Sequence, residues 1–145
     1  MYPFLLVIHL LAAIAFIGTL FFEVVIWHHA RQQLPDAPQL TADRAIAVRS
    51  SKVLHGVVLL LYGAGIALAW QHRGVLSQPL ASSFGTLLSL KILLALSIIG
   101  HYLLLAYWLK SARLTCARAS WIRRSILGHM VLIVILAKTM FSWHG

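Results

Sequence analysis

Seven ionisable side chains fall inside apolar stretches of this 145-residue chain: His9, Glu23, His55, Lys91, His101, His129 and Lys138. A charge at mid-bilayer costs about 2.5–3.5 kcal/mol on insertion scales, so such residues face a protein interior or a wet cavity and point to function. Imidazole ligates both haem iron and copper. Two histidines facing each other in a helical bundle can hold a haem iron axially, with small residues making room for the porphyrin and Lys or Arg near the boundary pairing its propionates. Copper is the alternative, with Met130 and Met140 as soft neighbours. Proton or ion movement through Glu23, Lys91 and the histidines is a third chemistry open to this set. Cys116 is the single cysteine, which excludes an internal disulfide and a cysteine-rich metal site. The chain carries no phosphate loop, nucleophile elbow or metalloprotease motif.

The elements that must position these residues are membrane spans. The composition is 61% hydrophobic and 10% charged, with a mean hydropathy of +0.88; a soluble domain of this size would need more charge on its surface. A span takes roughly 20 apolar residues. Four runs qualify, from about Phe4 to Trp27, Val53 to Trp70, Thr86 to Leu109 and Ser125 to Trp143. None shows the alternation of a membrane β-strand. The first lacks a basic leader and exceeds a signal-peptide core, so it reads as a retained span. The expected fold is an all-α, antiparallel four-transmembrane-helix bundle forming one domain.

Orientation follows from charge. Of the 12 Lys and Arg, Arg31, Arg44, Arg49 and Lys52 fall in the first connection and Lys110, Arg113, Arg118, Arg123 and Arg124 in the third, whereas the second holds Arg73 alone. Positive residues stay cytoplasmic, so both termini face the periplasm of a bacterial inner membrane. The net charge of +9 is thus a topology signal. No aromatic residues interleave with it, and no nucleic-acid partner is expected. Trp27, Trp70, Trp108 and Trp143 sit near span ends as interfacial anchors, and His28, His29, His72 and His144 belong to the same boundary. In the first connection, Pro35-Asp36-Ala37-Pro38 argues against continuous helix, with a short helix expected to start at Thr41 as cap and to lead into span two. The second connection, with Gly74, Pro79 and Ser82-Ser83, reads as irregular. Small residues in span one (Ala12, Ala13, Ala15, Gly18) and span two (Gly63, Ala64, Gly65, Ala67, Ala69) predict close helix packing.

Depth along each span sorts the ionisable residues into two layers. Glu23, His55, His101 and His129 lie in the inner half, and His9, Lys91 and Lys138 in the outer half. At about 1.5 Å rise per residue, His101 and His129 differ in depth by roughly 3 Å, on helices that a short connection makes neighbours. His9 and Glu23 fall about 40° apart on one helix face, whereas His129 and Lys138 fall about 180° apart, which leaves Lys138 to snorkel outward. His55, two residues into its span, is placed to touch headgroups. His101 and His129 are the expected ligands, with His9 and Lys91 forming a second polar site.

His9-Leu10-Leu11-Ala12-Ala13, continuing through Gly18-Thr19-Leu20-Phe21-Phe22, resembles the first helix of CopD-like copper-resistance membrane proteins. Leu90-Lys91-Ile92-Leu93-Leu94 followed by Gly100-His101-Tyr102 is similar to their third-helix pattern and to that of HemJ-type protoporphyrinogen oxidases. The resemblance implies a haem-b-containing membrane oxidoreductase, with His9 and Lys91 at the haem site and porphyrinogen oxidation among its activities. From the CopD side it implies copper uptake. The expectation is therefore an inner-membrane haem b redox or electron-transfer protein with a quinone or redox protein as partner. The alternatives are a copper-binding transport or tolerance protein and a non-catalytic membrane assembly subunit.

Overall fold

In the computed structural model, residues 2–142 are described apart from 112 and 114, and the side chains of 106, 109, 116 and 140–142 are left aside. Trp143 and His144 lie outside the described residues, as does the side chain of Met140. All regular structure among the described residues is helical, and four helices are long and apolar enough to cross a membrane. We label them α1 (Tyr2–Gln33), α2 (Asp36–Gln71), α3 (Ser83–Lys110) and α4 (Cys116–Ser142). The chain divides into two compact units, residues 1–71 and 72–145.

The first unit is the α1–α2 pair. Ala12, Phe16 and Leu20 recur every fourth residue on α1 and are buried; on α2 the buried residues are Leu61 and Ala64. Most other large apolar side chains point outward, among them Leu11, Leu59 and Ile66, as expected where the solvent is lipid. His9 meets the carbonyl of Leu61 and Trp27 meets Asp43, so paired residue numbers add to 70 at both contacts and the two helices run in opposite directions. α1 is not uniform: residues Phe22–Trp27 form a π stretch, in which the His28 N–H bonds the Glu23 carbonyl, and Arg31–Gln33 close it as a 3₁₀ turn. Below the π stretch, Asp43 accepts hydrogen bonds from Trp27 Nε1 at 2.7 Å and Arg31 Nη1 at 2.9 Å, tying both helix ends together.

The second connection is tighter than its composition suggested. A helical turn, Arg73–Leu76, precedes α3. Ser82 caps α3 by accepting the Gly85 N–H at 3.0 Å. A Cβ at Gly85 would lie 3.0 Å from the Pro79 carbonyl oxygen and 3.1 Å from Val75, which is why glycine stands there.

In the second unit, α4 buries Ile122, Ile126 and Met130 at fourth-residue spacing and α3 buries Ile98. Thr115 caps α4 through the Arg118 N–H, while the Arg118 guanidinium donates to the Arg113 carbonyl and lies 5.1 Å from the centre of the Trp108 ring.

Three expectations are corrected. The helix expected to begin at Thr41 begins at Asp36 and runs unbroken into the span. Pro38 sits in its first turn, where no intrahelical N–H is needed, and only Leu34, extended ahead of Pro35, and Pro35 itself interrupt the helix. Thr41 is not a cap: its hydroxyl donates back to the Ala37 carbonyl. α4 starts at Cys116, nine residues before the apolar run, because hydropathy marks where lipid begins, not where hydrogen-bonded backbone begins. Finally, the glycines are not all packing contacts: a Cβ at Gly18 or Gly63 would meet nothing within 4 Å, whereas at Gly65 it would lie 3.1 Å from His9 Cε1.

Candidate functional site

Helix α3 brings Ser97 and His101 to one face, and α4 does the same with Ser125 and His129, because residues four apart lie one above the other on a helix. Each imidazole is held at both nitrogens. His101 Nδ1 lies 2.7 Å from the carbonyl of Ser97 and His129 Nδ1 lies 2.7 Å from the carbonyl of Ser125. Across the helix pair, His101 Nε2 is 2.9 Å from Ser125 Oγ and His129 Nε2 is 3.1 Å from Ser97 Oγ. The pattern is reciprocal: each serine accepts at its carbonyl from the histidine four residues on in its own helix, and gives its hydroxyl to the histidine of the other helix.

This geometry sets the tautomer. A carbonyl can only accept, so Nδ1 carries the proton in both rings. In the neutral imidazole Nε2 is then bare, and the serine hydroxyl donates to it. The ring centroids are 5.1 Å apart at 63°, edge to face. Trp121 stacks on His101, with centroids 5.9 Å apart and planes 29° apart. Both histidines are half-buried, and Ile98 and Ile126, each one residue after a serine of the quartet, are buried beside them.

His9 repeats the same chemistry in the first unit. Its Nδ1 donates to the Leu61 carbonyl at 3.0 Å, with the ring seated against Gly65. A side chain at position 65 would push the ring away. His55 differs: it is exposed, and its Nδ1 bonds the Ser51 carbonyl at 2.6 Å within its own helix. Lys91 is half-buried on α3, Glu23 is half-buried in the π stretch of α1, and Lys138 is exposed on α4. The structure therefore brings His101 and His129 together. His9 and Lys91 belong to different units.

Known proteins offer no template for this arrangement: no protein-family model, curated protein or solved structure matches the chain. The site is read from its own residues.

Those residues bear directly on what could bind. A ligating histidine usually donates its second ring nitrogen to a carbonyl or carboxylate, which fixes the tautomer and orients the lone pair. His9, His101 and His129 all meet that condition, with Nε2 as the ligating atom. Turning two serine hydroxyls aside would free both Nε2 lone pairs of the pair for one ion between α3 and α4. A porphyrin between the same two rings asks for more, since both Ser–His bonds must open and the helices must part. Among the described residues no group of three or more His, Cys, Asp or Glu is gathered to hold a metal ion, so any such site here would rest on one or two imidazoles with other ligands. Met130, the nearer candidate thioether, is buried in the α4 stripe.

Sequence reasoning missed Ser97, Ser125 and Trp121. A signal was present: Ser97-Ile98-Ile99-Gly100-His101 and Ser125-Ile126-Leu127-Gly128-His129 differ at one position. Packed in opposite directions, two copies of one pentapeptide form a local two-fold arrangement centred on Ile99 and Leu127.

Proposed function

We propose that the chain is a multi-pass inner-membrane protein of the CopD/HemJ-like type, an antiparallel four-span bundle with periplasmic termini, that binds haem b and takes part in electron transfer or a membrane redox reaction. The observation that carries this reading is the common tautomer of His9, His101 and His129, each with Nδ1–H on a backbone carbonyl, so that Nε2 is the atom that would ligate iron once the Ser97 and Ser125 hydroxyls turn aside from His129 and His101. Haem, when bound, supplies one-electron chemistry, and burial among apolar helices tunes its potential. The protein's part is to orient the imidazoles, which the carbonyl bonds do. A quinone or a redox protein is the proposed electron partner.

The close approach of His101 and His129 favours a second reading, in which the pair holds a copper ion for transport or tolerance. An absorption spectrum of protein purified after expression with ample haem separates the two. A Soret band with resolved visible bands after dithionite supports haem, and loss of that band in His9→Ala, or in His101→Ala and His129→Ala, assigns the ligands. A colourless protein carrying stoichiometric copper overturns the haem reading in favour of copper. A protein that takes up neither leaves the helix pairs as an assembly subunit whose histidines serve packing alone.

A further inference from the structure

The first half of α2 carries an open groove of about 530 Å³ whose lining includes Leu40, Arg44, Val48, Arg49 and Lys52. Among the described residues, none of these three cations makes a hydrogen bond or an ion pair, in contrast to Arg31, which is paired with Asp43. The chain has three acidic residues. Asp43 is committed to Trp27 and Arg31, Asp36 opens α2, and Glu23 belongs to α1; none of them lines the groove. Three positive charges thus stand uncompensated on one face, with Leu40 71% and Val48 53% exposed beside them.

The register of the α1–α2 pair gives the groove its depth. Since paired residue numbers add to 70, Arg44 stands level with Ile26, Arg49 with Phe21 and Lys52 with Gly18. At that depth α1 is still apolar, Glu23 excepted, and its apolar run ends at Trp27. The cations therefore extend over about 12 Å of helix axis, from beside Trp27 to the level of Gly18, and Arg49 and Lys52 reach back toward Arg44 to meet a phosphate at the interface. Water-facing loop charges would stand beyond Trp27; these stand beside and above it.

We propose that this groove binds an anionic phospholipid of the inner leaflet, its phosphate held by Arg44, Arg49 and Lys52 and its upper acyl region lying on Val48. Arg is suited to bidentate phosphate contact, and the apolar neighbours favour a lipid over a free anion. The inference rests on the membrane-spanning reading but not on haem or copper, so it stands or falls separately from them.

The test is native mass spectrometry of the detergent-purified full chain titrated with phosphatidylglycerol, with phosphatidylcholine and with inorganic phosphate. Phosphatidylglycerol should bind saturably and more tightly than phosphatidylcholine. Arg44→Gln with Arg49→Gln should weaken it by about fivefold for each cation removed. Val48→Asp, which leaves every topology-setting cation in place, should weaken it as well. Arg123→Gln with Arg124→Gln, removing equal charge from the other connection, should leave it unchanged. Equal binding of the two lipids, an equal loss in the Arg123/Arg124 variant, or displacement of the lipid by millimolar inorganic phosphate would each overturn the proposal.

Discussion

Replacing Ser125 with alanine removes the hydroxyl that donates to His101 Nε2 at 2.9 Å and leaves the Ser125 carbonyl, which accepts from His129, untouched. Each serine therefore couples through its side chain to the histidine 24 or 32 residues away, not to the one four residues away. Interhelical hydrogen bonds in membranes contribute on average about 0.6 kcal/mol and up to about 1.7 kcal/mol, and a stranded acceptor costs about 1–3 kcal/mol where burial is complete. The rings here are half-buried, so Ser125→Ala and Ser97→Ala should each destabilise the protein by about 1 kcal/mol. A double-mutant cycle of Ser125→Ala with His101→Ala should return a coupling of about 0.6–1.7 kcal/mol. The cycle of Ser125→Ala with His129→Ala should return less than about 0.5 kcal/mol, the usual scatter of additivity. Unfolding of detergent-solubilised protein by increasing dodecyl sulfate, followed by far-ultraviolet circular dichroism, measures both. The reasoning fails if the short-range pair couples more strongly than the long-range pair, or if neither cognate pair couples. Nitrogen NMR of labelled histidine adds an independent check, with Nδ1 protonated and Nε2 bare expected in both rings.

Gly65→Ala should push His9 off the Leu61 carbonyl and cost about 1–3 kcal/mol, whereas Gly63→Ala, with open space around it, should be neutral or gain up to about 1 kcal/mol of helix propensity; thermal unfolding of the pair of variants tests this. Asp43→Ala should release both Trp27 and Arg31 and cost only about 1 kcal/mol, because the ion pair is a quarter to a third exposed and screened by water; a changed Trp27 emission, isolated by Trp27→Phe controls, is the readout. Ser82→Ala should loosen the start of α3 by about 1 kcal/mol, seen as faster amide exchange over residues 83–86, and Gly85→Ala should exceed it because the added methyl meets backbone.

The four long apolar helices were legible because crossing a bilayer needs a length of apolar sequence that little else produces. The proximity of His101 and His129 was legible from depth and from the short connection between their helices. Helix ends were not: Asp36 and Cys116 begin their helices well outside the apolar runs, since backbone hydrogen bonds continue through charged sequence that hydropathy treats as loop. The π stretch at Phe22–Trp27 was equally hidden, because a run of apolar residues does not distinguish one helical hydrogen-bond pattern from another.

By itself, then, the sequence determined that four segments are apolar enough to cross a membrane and which ionisable groups they carry; solvent partition is a sum over residue types and needs no partner. Only the tertiary structure decided what those groups do to one another. Serine is nearly neutral in a hydropathy sum, yet Ser97 and Ser125 set the proton on each imidazole. They do so because helices running in opposite directions place each hydroxyl against the histidine of the other, a pairing that depends on register and cannot be read along one helix.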